Sequence, residues 1–344
     1  MGSMVGFRKT ATIIVLLVLC FVIVSVSYSN VVKAQNEIDV IYIKADGSVE
    51  GTDLIEQLGS VYTFVGDITV GIQVERSNII IDGNWYTLQG DGEIHGPTDS
   101  HGMGIEIVGC NNVTIQNLNI KLFTRGVRFT DSSDCIVYQN IIFNNSIGIE
   151  MGYVDDSYSN NNTVSENIIK GSHSAGIRLI YGSSNIIFGN IITENDEGIS
   201  IWGTGGNSIT SNNITGNSKG IYVETSGINI IHKNNFIDNT NDWWDYGLTP
   251  WPFQLPFSEN IWDNGTTGNY WDNYNGTDNN GDGIGDTPYV LYKNNTDYFP
   301  LIQPIEMPIT IPENNLTFFG FFSLGIILLT IKLVYIWKEK NEKK

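Results

Sequence analysis

Apolar and polar positions alternate in short segments that recur along the middle of the chain. Glycines at positions 104, 126, 148, 176, 198 and 220 each begin a similar segment, and their spacings are 22, 22, 28, 22 and 22 residues. The first and third residues after each glycine are apolar, as in Gly104-Ile-Glu-Ile107. This period of two predicts a β-strand with one buried face. The longer interval is a repeat with a six-residue excursion near residues 153–161.

The residues between these segments exclude two common repeat architectures. No stretch of helical period separates successive strands, so a leucine-rich-repeat horseshoe and a doubly wound sheet are both excluded. Several short strands per 22 residues, separated by Gly, Asn and Ser, are typical of one coil of a parallel β-helix. The pattern therefore predicts an all-β solenoid with coils of about 22 residues.

Stacked coils place equivalent residues in columns about 4.8 Å apart. Two such columns can be read from the repeat, one with alternating charges and one of asparagines. We expect the charges to pair between coils and the asparagine amides to stack at the turns. We interpret both columns as structural in the first place. The second position after each glycine is occupied by Glu106, Arg128, Glu150, Arg178, Ser200 and Tyr222, and the asparagine column by Asn117, Asn140, Asn167, Asn190, Asn212 and Asn234.

Two sequence stretches, together with the Gly-Ile-x-Ile coils, resemble a known family. They are Ser77-Asn-Ile-Ile-Ile-Asp-Gly-Asn-Trp-Tyr-Thr-Leu-Gln-Gly90 and the Asn/Asp/Gly-rich run from Asn269 to Asp286. The resemblance is to the NosD-type β-helix family, part of a wider group of carbohydrate-binding and sugar-hydrolase proteins, and it covers roughly residues 65–304. It implies a single-stranded right-handed parallel β-helix. The family takes its name from a periplasmic protein linked to copper-site maturation of nitrous oxide reductase, while many relatives are archaeal surface proteins.

Both ends of the chain predict contact with a membrane. Residues 1–34 combine Arg8 and Lys9 with an apolar run from Ala11 to about Tyr28, which is typical of a secretory signal peptide or an uncleaved anchor. Residues 316–337 are nearly all apolar and long enough to cross a bilayer, and a basic tail, 338–344, follows them. We therefore predict a single-pass protein of the cell membrane whose β-helix lies outside the cytoplasm.

The remaining segments complete the expected organisation. We assign residues 35–66 to an N-terminal cap, 67–242 to the β-helix and 243–299 to an aromatic and acidic C-terminal cap. Trp243, Trp262 and Trp271 belong to this last segment, where covering the final coil is favoured over stacking on sugar rings. Residues 300–315 contain prolines at a period of four and predict a stiff, extended stalk.

The charge of the chain limits its partners. The net charge is −19, but residues 35–315 contain 35 acidic and 10 basic side chains, which gives 10 − 35 = −25. Too little positive charge is present to neutralise a phosphate backbone, so nucleic-acid binding is excluded. The acidity favours divalent cations as partners and disfavours acidic polysaccharides unless calcium bridges them.

Cys110 and Cys135 remain after signal removal and could form a disulfide.

A calcium loop is the strongest ligand-like motif. Asp278, Asn280 and Asp282 stand at alternate positions, Gly283 is sixth and Asp286 ninth, which matches the first half of a calcium-binding loop. The twelfth position is Tyr289, so the usual bidentate glutamate is missing. The alternative is a set of ordinary turn residues.

A copper site is a second metal hypothesis. His95, His101 and Met103 place two imidazoles and a thioether in one Gly-rich loop. Nitrogen and sulfur ligands of this kind suit copper. Two surface histidines in a polar turn would need no metal, so copper is the less favoured cofactor.

Catalysis would use the charged residues at the second position after the repeat glycines. Glu150 between Arg128 and Arg178 is the nearest approach to the carboxylate chemistry of polysaccharide lyases and hydrolases. The alternating ladder accounts for the same residues without a substrate.

We therefore expect a non-catalytic surface or glycan-binding component stabilised by calcium, with polysaccharides or envelope proteins as partners. A polysaccharide lyase or hydrolase is the first alternative, and a copper-handling factor is the second.

Overall fold

The computed structural model describes residues 40–96, 102–152, 158–248 and 258–307. The predicted signal peptide, transmembrane helix and basic tail lie outside these ranges. Within the ranges, no helix has the length and apolar character that crossing a bilayer requires. A short 3-10 helix spans Tyr246–Leu248.

The strands are short and follow one another from residue 40 to residue 297. In chain order they are β1 (Val40–Ile43), β2 (Val49–Glu50), β3 (Ile55–Leu58), β4 (Val61–Phe64), β5 (Gly71–Val74), β6 (Ile79–Asp82), β7 (Thr87–Gln89), β8 (Met103–Val108), β9 (Val113–Gln116), β10 (Asn119–Lys121), β11 (Arg125–Thr130), β12 (Ile136–Tyr138), β13 (Ile141–Phe143), β14 (Ile147–Met151), β15 (Thr163–Ser165), β16 (Ile168–Lys170), β17 (Ala175–Ile180), β18 (Ile186–Phe188), β19 (Ile191–Thr193), β20 (Glu197–Trp202), β21 (Ser208–Thr210), β22 (Asn213–Thr215), β23 (Lys219–Glu224), β24 (Ile230–His232), β25 (Asn235–Ile237), β26 (Asn241–Asp245), β27 (Tyr270–Trp271), β28 (Tyr289–Tyr292) and β29 (Asn295–Asp297).

Three long sheets contain most of these strands. The ten-stranded sheet has the order β2-β1-β5-β8-β11-β14-β17-β20-β23-β26, the nine-stranded sheet β24-β21-β18-β15-β12-β9-β6-β4-β3, and the eight-stranded sheet β27-β25-β22-β19-β16-β13-β10-β7. In the repeats, strands three apart along the chain are parallel neighbours, as β11 and β14 are. Each coil therefore contributes one strand to each sheet. The predicted all-β, right-handed parallel β-helix is confirmed.

The hydrophobic core is a column of aliphatic side chains inside the coils. Residues at the first and third positions after each repeat glycine, such as Ile149 and Met151, are fully buried. The core is continuous from Ile41 in the first coil to Trp271 near the end. Burial of these side chains supplies the main favourable term in folding.

The repeat glycines are required by the distance between coils. A Cβ added to any of them would lie only 2.4 to 2.7 Å from a carbonyl oxygen of the next coil. At Gly148, for example, the atom would be 2.5 Å from the oxygen of Gly176. Since the clash is with backbone, no side-chain movement relieves it. The glycine marks the point where two strands approach most closely.

Replacement of Gly148 by alanine should therefore destabilise the solenoid. We expect a loss of about 1–3 kcal/mol in the free energy of unfolding, because the added methyl group forces two coils apart. Urea unfolding followed by circular dichroism measures the loss. Gly96→Ala is the matched control, since a Cβ at Gly96 meets no atom within 4 Å. Equal stability of the two variants would contradict this explanation.

Buried asparagines form ladders at the turns between sheets. In the predicted column, the Asn167 side-chain amide donates to Asn190 Oδ1 at 3.0 Å, and Asn190 donates to Asn212 Oδ1 at 2.9 Å. Each side-chain oxygen also accepts a backbone N–H from the neighbouring coil. The amide stacking is thus confirmed. Asn117 is the exception, because Leu118 occupies its place in the ladder and donates its backbone N–H to Asn140.

Two further asparagine ladders were not predicted. One contains Asn195, Asn217 and Asn239, and the other contains Asn185, Asn207, Asn229 and Asn260. All of these asparagines are buried. Their amides satisfy backbone groups that the turns would otherwise leave without partners.

The parallel stacking extends on both sides of the range 67–242. At the start, β1 pairs with β5 and β4 pairs with β6, both in parallel register. At the end, Asn234 continues its ladder to Asn269, which lies 35 residues later. Trp271 stacks on Phe236, with ring centroids 4.3 Å apart, and covers the last coil. Trp262 and Trp271 are fully buried, so neither ring can stack on a sugar.

The proline-rich segment begins in contact with the solenoid. The backbone N–H of Leu301 donates to Asn269 at 2.8 Å. The side chain of Asn235 accepts from the N–H of Ile305 and donates to its carbonyl, both at 2.9 Å. A freely projecting stalk can therefore start only after Ile305.

Cys110 and Cys135 are buried and do not form a disulfide. Burial raises the pKa of the Cys135 thiol to about 11, so the thiol stays protonated at neutral pH. The possible disulfide between Cys110 and Cys135 is therefore not formed in this structure. Both side chains pack in the core cluster.

Candidate functional site

The outward side chains of β8, β11, β14, β17, β20 and β23 form what we call the charged face. The predicted column lies on it in register, with Arg128 opposite Glu106 and Glu150, and Arg178 opposite Glu150 and Ser200. Successive charged residues of this column thus lie on adjacent hydrogen-bonded strands, and their charges alternate in sign from strand to strand. Each coil adds one member because the repeat glycine fixes the register.

Glu150 is the centre of this face. It is 1% exposed, and Arg125, Arg128 and Arg178 surround it. The Arg125 Nε atom donates directly to Glu150 Oε2. Arg128 Nε lies 3.8 Å from the same oxygen, and Arg178 Nη1 lies 3.9 Å from Oε1. Three guanidinium groups thus compensate one buried carboxylate.

Arg125 was not found from the sequence. It precedes the repeat glycine, and the strand pairs it with Met103 on one side and Ile147 on the other. A signal was present, since the same position holds Glu197 and Lys219 in later coils. These two residues also pair with each other, at 3.2 Å. The residue before each glycine is therefore a second outward column.

Aromatic rings continue the face toward the later coils. The guanidinium of Arg178 lies 5.0 Å from the centroid of the Trp202 ring, and Lys219 Nζ lies 5.0 Å from that of Tyr222. Both are cation–π contacts. Burial lowers the pKa of Arg178, which the nearby Glu150 carboxylate opposes. Burial and the hydrogen bond to Glu224 raise the pKa of Tyr222, so its hydroxyl remains protonated.

Several buried polar atoms on the charged face have no hydrogen-bond partner among the described residues. This is unusual, since the large majority of buried polar atoms in folded proteins are paired. The other orphaned atoms of the described chain are spread over several coils and sheets. On this face they are Arg125 Nη1, Arg178 Nε, Glu197 Oε2, Ser200 Oγ and Trp202 Nε1.

The calcium-loop residues lie together in one exposed turn. Asp278 Oδ1 accepts the N–H of Gly281 at 2.7 Å, and its Oδ2 accepts that of Gly283 at 2.9 Å. Asp286 instead accepts from Asn279. Tyr289, at the twelfth position, packs against Trp271. In the described ranges, no group of three or more His, Cys, Asp or Glu side chains is placed to hold a metal ion.

Calcium binding at Asp278, Asn280, Asp282 and Asp286 stays a prediction. If calcium binds there, a calorimetric titration should give a dissociation constant of about 10⁻⁴–10⁻³ M, the range of extracellular modules. The melting temperature should rise with added calcium. The variant Asp278→Asn should lose both effects.

A matched control separates ion binding from loop stability. Asp46 also accepts a backbone N–H in an exposed turn, from Ser48 at 2.9 Å, so Asp46→Asn should leave the calcium response unchanged. Absence of both heat and thermal shift at millimolar calcium would disprove the site.

The predicted copper ligands are only partly described. His95 Nε2 lies 2.8 Å from Asp91 Oδ2, which gives the imidazole a carboxylate partner. Met103 is buried, and its sulfur lies 4.0 Å from Arg128 Nη1. His101 lies outside the described residues. Copper binding at His95, His101 and Met103 stays a prediction.

The ion pairs of Glu150 yield a stability prediction. Glu150→Gln should lower the free energy of unfolding by about 3–5 kcal/mol, because three buried arginines lose their common counter-charge. Glu194→Gln is the control, since its exposed pair with Lys170 should contribute only about 0–1 kcal/mol. Urea midpoints of the two variants test the difference. Similar shifts would show that the Glu150 pairs contribute no more than a surface pair.

A protein-family match agrees with the β-helix architecture. Residues 49–276, more than half of the chain, match the family described as periplasmic copper-binding protein (NosD). This chain belongs to the NosD family. Among curated proteins, none matches it.

Solved structures of other β-helix proteins are more distantly similar. The periplasmic alginate epimerase AlgG is 16% identical, with a TM-score of 0.43, over 56% of this chain and 46% of the epimerase. The A-module of the Azotobacter vinelandii mannuronan C-5 epimerase AlgE6 is 14% identical, with a TM-score of 0.41, over 61% of this chain and 67% of the module. This NosD-family chain thus spans about half the length of the AlgG epimerase.

Proposed function

We propose that this NosD-family protein is a non-catalytic carbohydrate-binding component of the cell envelope, with the charged face as its binding surface. A long face of parallel strands offers repeated positions along one direction, which suits an extended polymer. Its cation–π pairs present aromatic and basic groups together. The apolar and basic segments at residues 316–344 support attachment to a membrane, with the solenoid outside.

The pairing of the carboxylates is the observation that carries the non-catalytic part of the proposal. Glu106 pairs with Arg128, Glu150 with three arginines and Glu197 with Lys219, while Glu224 accepts the Tyr222 hydroxyl. General acid–base catalysis needs a carboxyl group that can reach the reacting atoms and exchange a proton with them. Within the six strands of the charged face, each carboxylate already has a cationic or hydroxyl partner.

A glycan-binding screen with the full-length chain tests the proposal. We expect retention of at least one class of polysaccharide and no release of shorter or unsaturated products on prolonged incubation. Arg178→Gln should weaken retention. Lys170→Gln, on the eight-stranded sheet, should not.

Two results would overturn this function. Retention of no polysaccharide would remove the binding role. Product release by the parent chain that Glu150→Gln abolishes, while circular dichroism shows that this variant is still folded, would establish a lyase or hydrolase instead.

A further inference from the structure

The outward side of the nine-stranded sheet differs in character from the charged face. In β9, β12, β15, β18, β21 and β24 the inward residues are fully buried, as Val137 and Ile187 are. The residues that alternate with them therefore point outward. We call these twelve residues the uncharged face. In register along the solenoid they form one column of Thr114, Ile136, Thr163, Ile186, Ser208 and Ile230, and a second of Gln116, Tyr138, Ser165, Phe188, Thr210 and His232.

None of the twelve side chains of the uncharged face is ionised at neutral pH. Burial raises the pKa of Tyr138 and lowers that of His232, so both rings stay neutral. The two other long sheets carry ions on their outward sides, such as Glu150 and Lys170. In a region with a net charge of −25, six successive strands without an ionised outward group are exceptional.

The larger side chains of the uncharged face are open to solvent. Ile136, Ile186, Phe188 and Ile230 are 38% to 44% exposed. Ile261, which continues the first column through a bridge to Ile230, is 45% exposed. Contiguous exposed apolar groups mark interaction sites on protein surfaces. A partner can reach these side chains without any rearrangement of the solenoid.

Large and small residues alternate from coil to coil on this face. Every second coil presents an isoleucine and an aromatic ring, and the coils between them present two small hydroxyl residues. Since coils are about 4.8 Å apart, ridges of large side chains recur about every 9.6 Å, with a groove between successive ridges. The large pairs are Ile136 with Tyr138, Ile186 with Phe188 and Ile230 with His232, and the small pairs are Thr163 with Ser165 and Ser208 with Thr210.

The absence of charge favours a second copy of the chain as the partner. Two copies that each carry −25 over residues 35–315 repel where their acidic surfaces approach. The screening length is about 8 Å at physiological ionic strength, so the charges at the contact dominate this repulsion. The uncharged face is where two copies can meet with the least repulsion. A cationic partner would instead gain most at the acidic surfaces.

The ridges and grooves make the face complementary to itself. A rotation by 180° about an axis parallel to the strands, midway between β15 and β18, places β15 opposite β18 and β12 opposite β21 of the second copy. Phe188 then lies opposite Ser165, and Ile136 lies opposite Ser208. Large side chains thus meet small ones, as in sheets that pack about 10 Å apart with interdigitated side chains. A rotation about the solenoid axis would place each ridge against its own counterpart.

We infer that the protein forms an antiparallel homodimer through the uncharged face, with Ile136 of each copy opposite Ser208 of the other. This inference goes beyond the proposed carbohydrate binding and does not depend on it, because that function uses a different sheet. The strands form a strip about 10 Å wide and about 30 Å long, which is smaller than the about 800 Å² per partner of a standard interface. Association should therefore be reversible, with a dissociation constant of about 10⁻⁶–10⁻⁴ M.

The direction of the two copies has a consequence for the membrane. In an antiparallel pair, the segments that follow the last coil leave from opposite ends of the dimer. If residues 316–337 of both copies enter one membrane, as their sequence predicts, the dimer lies along that membrane.

Sedimentation velocity of the full-length chain in detergent tests the dimer. Concentrations from about 1 to about 500 µM span the expected dissociation constant. We expect the parent chain to change from monomer to dimer over this range. Ile136→Glu and Ser208→Lys should each weaken association about tenfold or more, because each places a charge without a partner in the interface.

The double variant Ile136→Glu, Ser208→Lys tests the orientation. In the antiparallel dimer, the introduced carboxylate of each copy faces the introduced ammonium of the other, so the double variant should associate about tenfold more tightly than Ile136→Glu alone. Within one chain, positions 136 and 208 are three coils, about 14 Å, apart. This exceeds the screening length of about 8 Å, so the recovery requires pairing between copies.

A matched control adds the same charge elsewhere. Val290 is 63% exposed and lies on β28, in the separate two-stranded sheet. Val290→Glu should leave the dimer unchanged. Circular dichroism of each variant checks that the solenoid is folded.

Three results would overturn the inference. One is a parent chain that stays monomeric up to about 500 µM. Another is a dimer that Ile136→Glu leaves intact, since other segments would then hold it together. The third is a folded double variant that associates no better than Ile136→Glu. If the parent is monomeric and folded Ile136→Glu loses polysaccharide retention, the face binds a glycan instead of a second copy. The polysaccharide screen tests the proposed function separately, so failure of one leaves the other in place.

Discussion

Parallel hydrogen bonding between successive coils is the constraint on which the structure depends. It fixes neighbouring coils about 4.8 Å apart, so each residue meets its own counterpart one turn later. At the repeat glycines the backbones come so close that a Cβ would meet the next carbonyl at 2.4 to 2.7 Å. At the turns the same spacing suits the asparagine amides, which donate to one another at about 3 Å. Glycine and asparagine recur because few other residues meet these two requirements.

The same stacking decides how charge can be carried on the outside. A column of like charges would repel at every step along the axis, whereas Glu106, Arg128, Glu150 and Arg178 alternate. Arg125 adds a further positive charge at Glu150, from the neighbouring outward column. Buried pairs of this kind stabilise little in net terms, but they are strongly destabilising to break. The charged face is therefore tied to the integrity of several coils at once.

The positions of the charged residues change what the net charge implies about ligands. From composition alone, −25 over residues 35–315 favours cations and disfavours acidic polymers. The structure gathers three of the four arginines of that region around one carboxylate, and leaves two of their donors unpaired. Membership of the NosD family establishes the architecture. The chemistry of the charged face is specific to the side chains that this chain places on it.

The sequence by itself determined the period, the strand positions, the buried apolar residues and the paired column, because a fixed 22-residue repeat places equivalent residues in contact whatever the details. It did not reveal Arg125, the replacement of Asn117 by Leu118, or the two further asparagine ladders. It also missed the last coils, where Asn229, Asn260 and Asn295 are joined across 31 and 35 residues. Insertions of unequal length remove the period there, so only stacking in space shows which residues are equivalent. Which polar atoms remain unpaired was likewise decided by the tertiary structure, since it depends on how neighbouring coils orient their side chains.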